Sequence, residues 1–146
     1  MNPGVVSSAG ARGLVQLMPA TARMMAGQLG LAYEANRLTS DPAYNLQLGS
    51  AYLADRLVEF GNSHVLAFAA YNAGPGRVRT WLRKYGDPRS PGVDVVDWIE
   101  QIPFSETRNY VQRVLEGTQV YRVLLAGRGD RPKLTLMAEM LGRSTQ

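Results

Sequence analysis

Glycine and proline fall along this chain at places that leave room for little except helices. Gly30, Asp41-Pro42, Gly61, the run Asn72-Ala73-Gly74-Pro75-Gly76, Gly86, Pro103 and Gly127 cut it into stretches of helical length. Proline belongs just inside a helix start, where its missing N–H is no loss, and glycine just past the end, where a left-handed residue closes the last turn. The punctuation predicts a helix from Pro19 to Leu29 closed by Gly30, then a loop over 31–40. Asp41 is placed to cap a helix opened by Pro42 that reaches Phe60, with Leu46, Leu53, Leu57 and Phe60 marking its apolar face. Asn62-Ser63 caps the next helix, whose residues 65–71 are apolar almost all round and so belong in the centre of the fold.

A short basic helix over Arg77–Tyr85 and a loop at 87–93 follow, then a short helix from Asp94 to Gln101 that Pro103 breaks. Ser105 is read as the cap of the longest helix, which reaches Ala126 with Val111, Val114, Thr118, Tyr121 and Leu125 at helical steps. Arg128–Lys133 reads as an exposed linker whose Arg-Gly-Asp triplet is chance, and Leu134–Leu141 as a terminal helix. With no strand alternation and no repeats, the expected fold class is all-α, a single domain of about seven helices over 1–127 followed by a linker and short helix over 128–146.

Composition agrees. The 146 residues are 45% hydrophobic and 19% charged, as in a folded globular protein. No apolar run approaches the ~18 residues of a membrane span, and the first residues lack the charged and apolar regions of a secretory signal. Sixteen basic residues against twelve acidic give a net charge of +4, spread along the chain without the basic run of a nucleic-acid arm. That balance suits an anionic polymer without choosing one, and no nucleic-acid partner is expected. With no cysteine and His64 as the sole histidine, neither a metal site nor a cofactor is expected, and His64 reads as a surface residue near a helix start.

Three segments place polar groups beside glycine or proline at helix boundaries, where they can face a ligand. In 7–19, Gly10 and Gly13 allow tight turning, and the Gln16 amide between apolar Val15 and Leu17 is either a satisfied core group or a ligand contact. In 70–76, Asn-Ala-Gly is by itself an ordinary helix end; alternatively the Tyr71 hydroxyl and Asn72 amide hold sugar hydroxyls. In 100–110, Glu106 follows the expected cap, where the helix dipole favours a charged carboxylate. It is either a plain first-turn Glu or a ligand-orienting group, and the dipole argues against a general acid. Tyr110, one turn on, shares its face. Asp94, Asp97 and Glu100 read as solvated.

Taken together, Ser7…Gly13-Leu14-Val15-Gln16-Leu17-Met18-Pro19, Ala70-Tyr71-Asn72-Ala73-Gly74 with the following Pro75–Leu82, and Ile102-Pro103-Phe104-Ser105-Glu106-Thr107-Arg108-x-Tyr110-Val111 resemble the catalytic domain of soluble lytic murein transglycosylases. The resemblance covers nearly the whole chain and implies a goose-type-lysozyme-like α fold. It implies cleavage of the MurNAc–GlcNAc β-1,4 bond of peptidoglycan with formation of a 1,6-anhydromuramyl end, by a monomer in the periplasm or cell envelope. Carried over position by position, Ser7, Gln16, Met18, Ala70, Tyr71, Asn72, Glu106 and Tyr110 match its sugar-contacting residues, with Glu106 supporting catalysis.

Such chemistry needs a carboxylic acid of raised pKa to protonate the glycosidic oxygen, and attack by the sugar's own C6 hydroxyl lets one carboxylate serve as acid and then base. In the family that Glu lies in a Glu-Ser-x-(aromatic)-Asn-Pro segment. Asn2-Pro3 matches its end, which places the Glu upstream of Met1, so no catalytic residue is expected within the chain. The expectation is therefore a polypeptide with little or no lytic activity, the alternative being a non-catalytic glycan-binding module.

Overall fold

The computed structural model describes residues 2–126 and 136–143. Eight helices are found among them: α1 (Pro19–Gln28), α2 (Arg37–Ser40), α3 (Pro42–Glu59), α4 (His64–Ala73), α5 (Pro75–Tyr85), α6 (Val95–Glu100), α7 (Ser105–Leu125) and α8 (Leu136–Leu141). The all-α class read from the sequence is borne out. The expected boundary at 127/128, the linker and the Arg-Gly-Asp triplet lie outside the described residues. The chain divides into two compact units, one ending at Asp55 and the other beginning at Arg56, a division that falls within α3.

In the first unit the N-terminal loop is folded on itself. The Arg12 amide donates to the Leu17 carbonyl (2.9 Å) and the Leu17 amide returns a bond to Arg12 (3.0 Å), while Gly13 donates to Val5 (3.0 Å). Asn45, fully buried on α3, pins this loop: its Oδ1 accepts from the Val15 amide (3.0 Å) and its Nδ2 donates to the Arg12 carbonyl (3.1 Å). Leu17, Ala22, Met25, Ala26, Leu38, Tyr44, Leu48 and Tyr52 are the buried apolar groups of this unit. Two expectations change. Part of the 31–40 loop is the single-turn helix α2, formed because Leu38 is buried and the Asn36 carbonyl accepts from the Thr39 and Ser40 amides. The inward face of α3 is Tyr44, Asn45, Leu48, Gly49 and Tyr52, leaving Leu46 44% exposed. Asp41 does cap α3, accepting the Tyr44 amide at 3.0 Å. That amide and the Arg37 guanidinium hold its carboxyl below the usual carboxylate range.

The second unit is built around α4, whose residues Val65–Ala70 are all buried; it packs against α5, α7 and α8, and α6 packs against α7. Ser63 caps α4, its Oγ accepting from the Leu66 amide, and also donates to the Met140 carbonyl of α8 (2.5 Å). Gly74 (φ 93°) lets α4 end and α5 begin at once with Pro75, which opens a helix where the sequence had suggested only a breaker. Asp94 caps α6 through the Val96 and Asp97 amides, so its carboxylate is engaged and not merely solvated. Glu100 likewise accepts from Gln112 (2.7 Å).

Three further expectations are corrected here. The residue preceding α7 is Phe104, extended and set edge-on to Trp81 (ring centroids 5.6 Å), which makes Ser105 the first helical residue and not the cap. The inward face of α7 is Thr107, Val111 and Leu115, while Tyr121 and Leu125 are exposed. His64 starts α4 as expected but is half-buried against Glu139 of α8 (3.7 Å), and Glu139 also pairs with Arg122 (2.5 Å).

Candidate functional site

The sequence-predicted residues fall on two sets of elements. Ser7, Gln16 and Met18 belong to the first unit, and Ala70, Tyr71, Asn72, Glu106 and Tyr110 to the second. Ser7 lies in the turn that Gly10 closes; its Oγ accepts from the Ala11 amide (3.0 Å) and keeps its O–H as a donor. Gln16 adopts a positive φ of 51° and turns its Nε2 back onto the Gly13 carbonyl (2.7 Å) and the Val5 carbonyl (3.3 Å). Both amide protons thus hold the loop, and the face left for a ligand is the acceptor Oε1. Met18 is the residue before α1 and is 43% exposed, a polarisable apolar surface at the loop exit.

In the second unit the end of α4 meets the start of α7. Tyr71 and Tyr110 lie nearly parallel, ring centroids 6.4 Å apart at 9°. Burial pushes the Tyr110 phenol above its ordinary range, which keeps it a protonated donor across the physiological pH range. Asn72 is exposed, and its Oδ1 accepts from the buried Thr107 hydroxyl at 2.7 Å. Glu106, the second residue of α7, is exposed beside a helix start that no side chain caps. Ala70 is buried; its carbonyl accepts the Gly74 amide, so it contributes to the shape of the α4 end.

Two residues of this arrangement escaped the sequence reading. Asn45 gave a signal, a polar residue at i and i+3 spacing with Leu48 on a helix, but only its partners show that it organises the 12–17 loop. Thr107 sits inside a motif already singled out and looked like an ordinary first-turn residue. Among the described residues no group of His, Cys, Asp and Glu is arranged to hold a metal ion.

The carboxylates can be followed individually. Glu34 and Asp41 pair with Arg37, Glu59 with Arg56 and Arg79, Asp87 with Arg89, and Glu139 with Arg122. Arg89 holds Asp87 below the usual carboxylate range. Asp97, Glu106 and Glu116 are exposed and Asp55 is partly buried, and among the described residues the buried polar ones are Asn45, Ser63 and Thr107, none of them an acid. An apolar groove of about 190 Å³ between α6, α7 and α8, lined by Val96, Ile99, Leu115 and Met140 among others, contains none of the predicted site residues.

This geometry can be set against known proteins. Residues 1–90 match the Transglycosylase SLT domain family, and residues 101–129 match the Soluble lytic transglycosylase helical domain. The chain is 43% identical over 140 residues to the soluble lytic murein transglycosylase of Escherichia coli K12, covering 94% of this chain and 20% of that protein. It superposes on the crystal structure of the 70 kDa soluble lytic transglycosylase SLT70 of Escherichia coli with a TM-score of 0.82 at 43% identity, covering 99% of this chain and 22% of that one. A complex of the 70-kDa soluble lytic transglycosylase with bulgecin A gives a TM-score of 0.80 at 40% identity, covering 94% and 21%.

The architecture is thus that of the lysozyme-like all-α lytic transglycosylases. The chain belongs to the SLT family of lytic transglycosylases, and it spans about a fifth of the length of the curated relatives it matches.

Proposed function

We propose that this chain carries the sugar-contacting part of a lytic transglycosylase domain that cleaves the MurNAc–GlcNAc β-1,4 bond of peptidoglycan and leaves a 1,6-anhydroMurNAc end. We further infer that the 146-residue polypeptide, taken by itself, binds glycan without cleaving it. The observation that carries the reading is the meeting of the α4 end with the α7 start. It offers an amide, a phenol held protonated, a carboxylate and an aromatic face within one motif-bearing region. These groups suit hydroxyl and acetamido partners. In the first unit Ser7 offers a hydroxyl donor, Gln16 an acceptor and Met18 an apolar contact.

The bond-breaking step needs a carboxylic acid kept protonated by a partly apolar pocket. No described acidic residue is fully buried; Glu139, whose Oε2 is enclosed, is paired with Arg122, and the carboxylates with displaced titration, Asp41 and Asp87, are displaced downward. Glu106 fits a supporting role, polarising or orienting a sugar hydroxyl from the α7 N-terminus. No described carboxylate is assigned the role of the acid in the Glu-Ser-x-(aromatic)-Asn-Pro segment, and the reading is of a monomer acting on glycan strands in the periplasm or cell envelope. Absence of a general acid typically forfeits ~10²–10⁴-fold in rate.

Incubating the polypeptide with purified peptidoglycan and searching the products by mass for anhydromuramyl ends tests the chemistry; binding of an N-acetylglucosamine tetramer by calorimetry tests the recognition. Expected are measurable tetramer binding, about tenfold weaker in Tyr71→Ala, and no anhydromuramyl product. Clear turnover would overturn the exclusion of the described carboxylates as the acid, and absence of glycan binding would overturn the site.

A further inference from the structure

We propose that Thr107 is a positioning residue that fixes the face Asn72 presents, so that Asn72 offers a ligand hydrogen-bond donors and takes an acceptor oxygen, from a sugar hydroxyl or an acetamido carbonyl. The proposal rests on the glycan-binding reading above and adds to it a residue and a polarity of recognition. Thr107 is 2% exposed, in the first turn of α7, and its Oγ1 donates to Asn72 Oδ1 at 2.7 Å. A carboxamide is planar, so committing its oxygen to Thr107 commits the two Nδ2 protons to the opposite edge. Asn72 is itself exposed, the penultimate residue of α4, one step from the Gly74 turn.

Without the Thr107 hydroxyl the amide would be free to rotate and show either edge, and a ligand would have to select the right one. The bond also joins the end of one helix to the start of another. The donor edge therefore inherits the rigidity of the α4–α7 packing, which is the central contact of this unit. A buried threonine whose hydroxyl is spent on a single exposed amide has no packing need for that oxygen, since valine has the same shape.

The test uses the polypeptide itself with the N-acetylglucosamine tetramer as probe, comparing Thr107→Val, Thr107→Ser, Asn72→Asp and Asn72→Ala. Thr107→Val removes the donor at constant shape and is expected to weaken tetramer binding about fivefold to tenfold; Thr107→Ser restores it. Asn72→Asp keeps an oxygen toward Thr107 but replaces the donor edge with a second oxygen, so it should lose as much binding as Asn72→Ala. The NMR signals of the Asn72 side-chain amide should move toward those of a free carboxamide in Thr107→Val while backbone signals of α4 and α7 hold, a signature that general loss of structure does not produce. If Asn72→Ala binds the tetramer as tightly as the unaltered chain, both the site reading and the proposal fall. If Asn72→Ala weakens binding while Thr107→Val does not, or if Asn72→Asp binds normally, the positioning role alone is overturned.

Discussion

Gly13 is where the first unit is most tightly specified. Its φ is +78°, and a Cβ there would fall on the Leu38 carbonyl and the Asn45 side chain, 2.6 Å from Asn45 Cγ. Gly10 in the same loop has a similar φ of +88°, with open space where its Cβ would go. The pair separates two costs that usually come together. Gly10→Ala should lose only the penalty of a left-handed backbone, about 1–2 kcal/mol. Gly13→Ala should add overpacking against the loop's own anchor, for a total of roughly 2–5 kcal/mol. Urea unfolding of both variants checks this, and equal midpoints would mean that the contact with Asn45 is not what fixes the loop. The residues that matter here were only half legible. Glycine spacing announced a tight loop, and Gln16 stood out as an amide among apolar neighbours. That its two donors would be consumed by Gly13 and Val5 depends on a backbone path that no local pattern encodes.

Helix ends were legible where a local chemical cause marks them, and were misread at Pro75 and Ser105. Pro42 after Asp41, Ser63 before α4, and Gly30 and Gly86 after α1 and α5 all act within a few residues. Helix faces were less so. On α3 the buried set includes Asn45 and Gly49 and omits Leu46, so following apolar residues alone picks the wrong side. On α7 the buried stripe ends at Leu115, while Val120, Tyr121, Val123, Leu124 and Leu125 are apolar and outward. Burial there is decided by what packs against the helix. Element-level contacts also give a pH response at α8. Burial, the largest effect, and the Arg122 charge of α7 lower the His64 titration from its ordinary 6.5, while Glu139 of α8 raises it. A histidine whose folded value is depressed favours the fold fully above its unfolded value, and that contribution is lost as pH falls through the folded value. Stability should therefore decline below pH 6.5. The responsible group is the only histidine in the chain. Urea midpoints compared at neutral pH and at mildly acid pH, above the carboxylate range, should show the decline, and His64→Gln should flatten it. An unchanged slope in that variant would assign the response elsewhere.

At the scale of the whole molecule the governing quantity is charge, +4 over 146 residues. Much of it is on α5, where Arg77, Arg79, Arg83 and Lys84 follow directly on the Asn72-Ala73-Gly74 turn. Some of it is spent internally: Arg79 pairs with Glu59, and Arg77 lies over the Phe104 ring (4.8 Å) and donates to the Ala73 carbonyl (3.3 Å). Arg83 and Lys84, in the last turn, complement the helix dipole and face outward. A few outward charges attract an anionic polymer diffusely; they do not clamp it. The screening length is about 10 Å at 0.1 M salt and about 3 Å at 1 M, so such attraction should fade smoothly while hydrogen bonds to sugar persist. Sedimentation with purified peptidoglycan should thus weaken only several-fold between 50 and 200 mM salt, on the order of one or two effective charges. Reversing Arg83 and Lys84 to Glu should lower binding at low salt and converge with the unaltered chain at high salt. A protein recognising nucleic acid through six to ten phosphates would instead lose ~10³–10⁵-fold over the same range. A loss of that size, measured on DNA and absent on peptidoglycan, would mean that the basic helix serves a different polymer from the one proposed for the α4–α7 site.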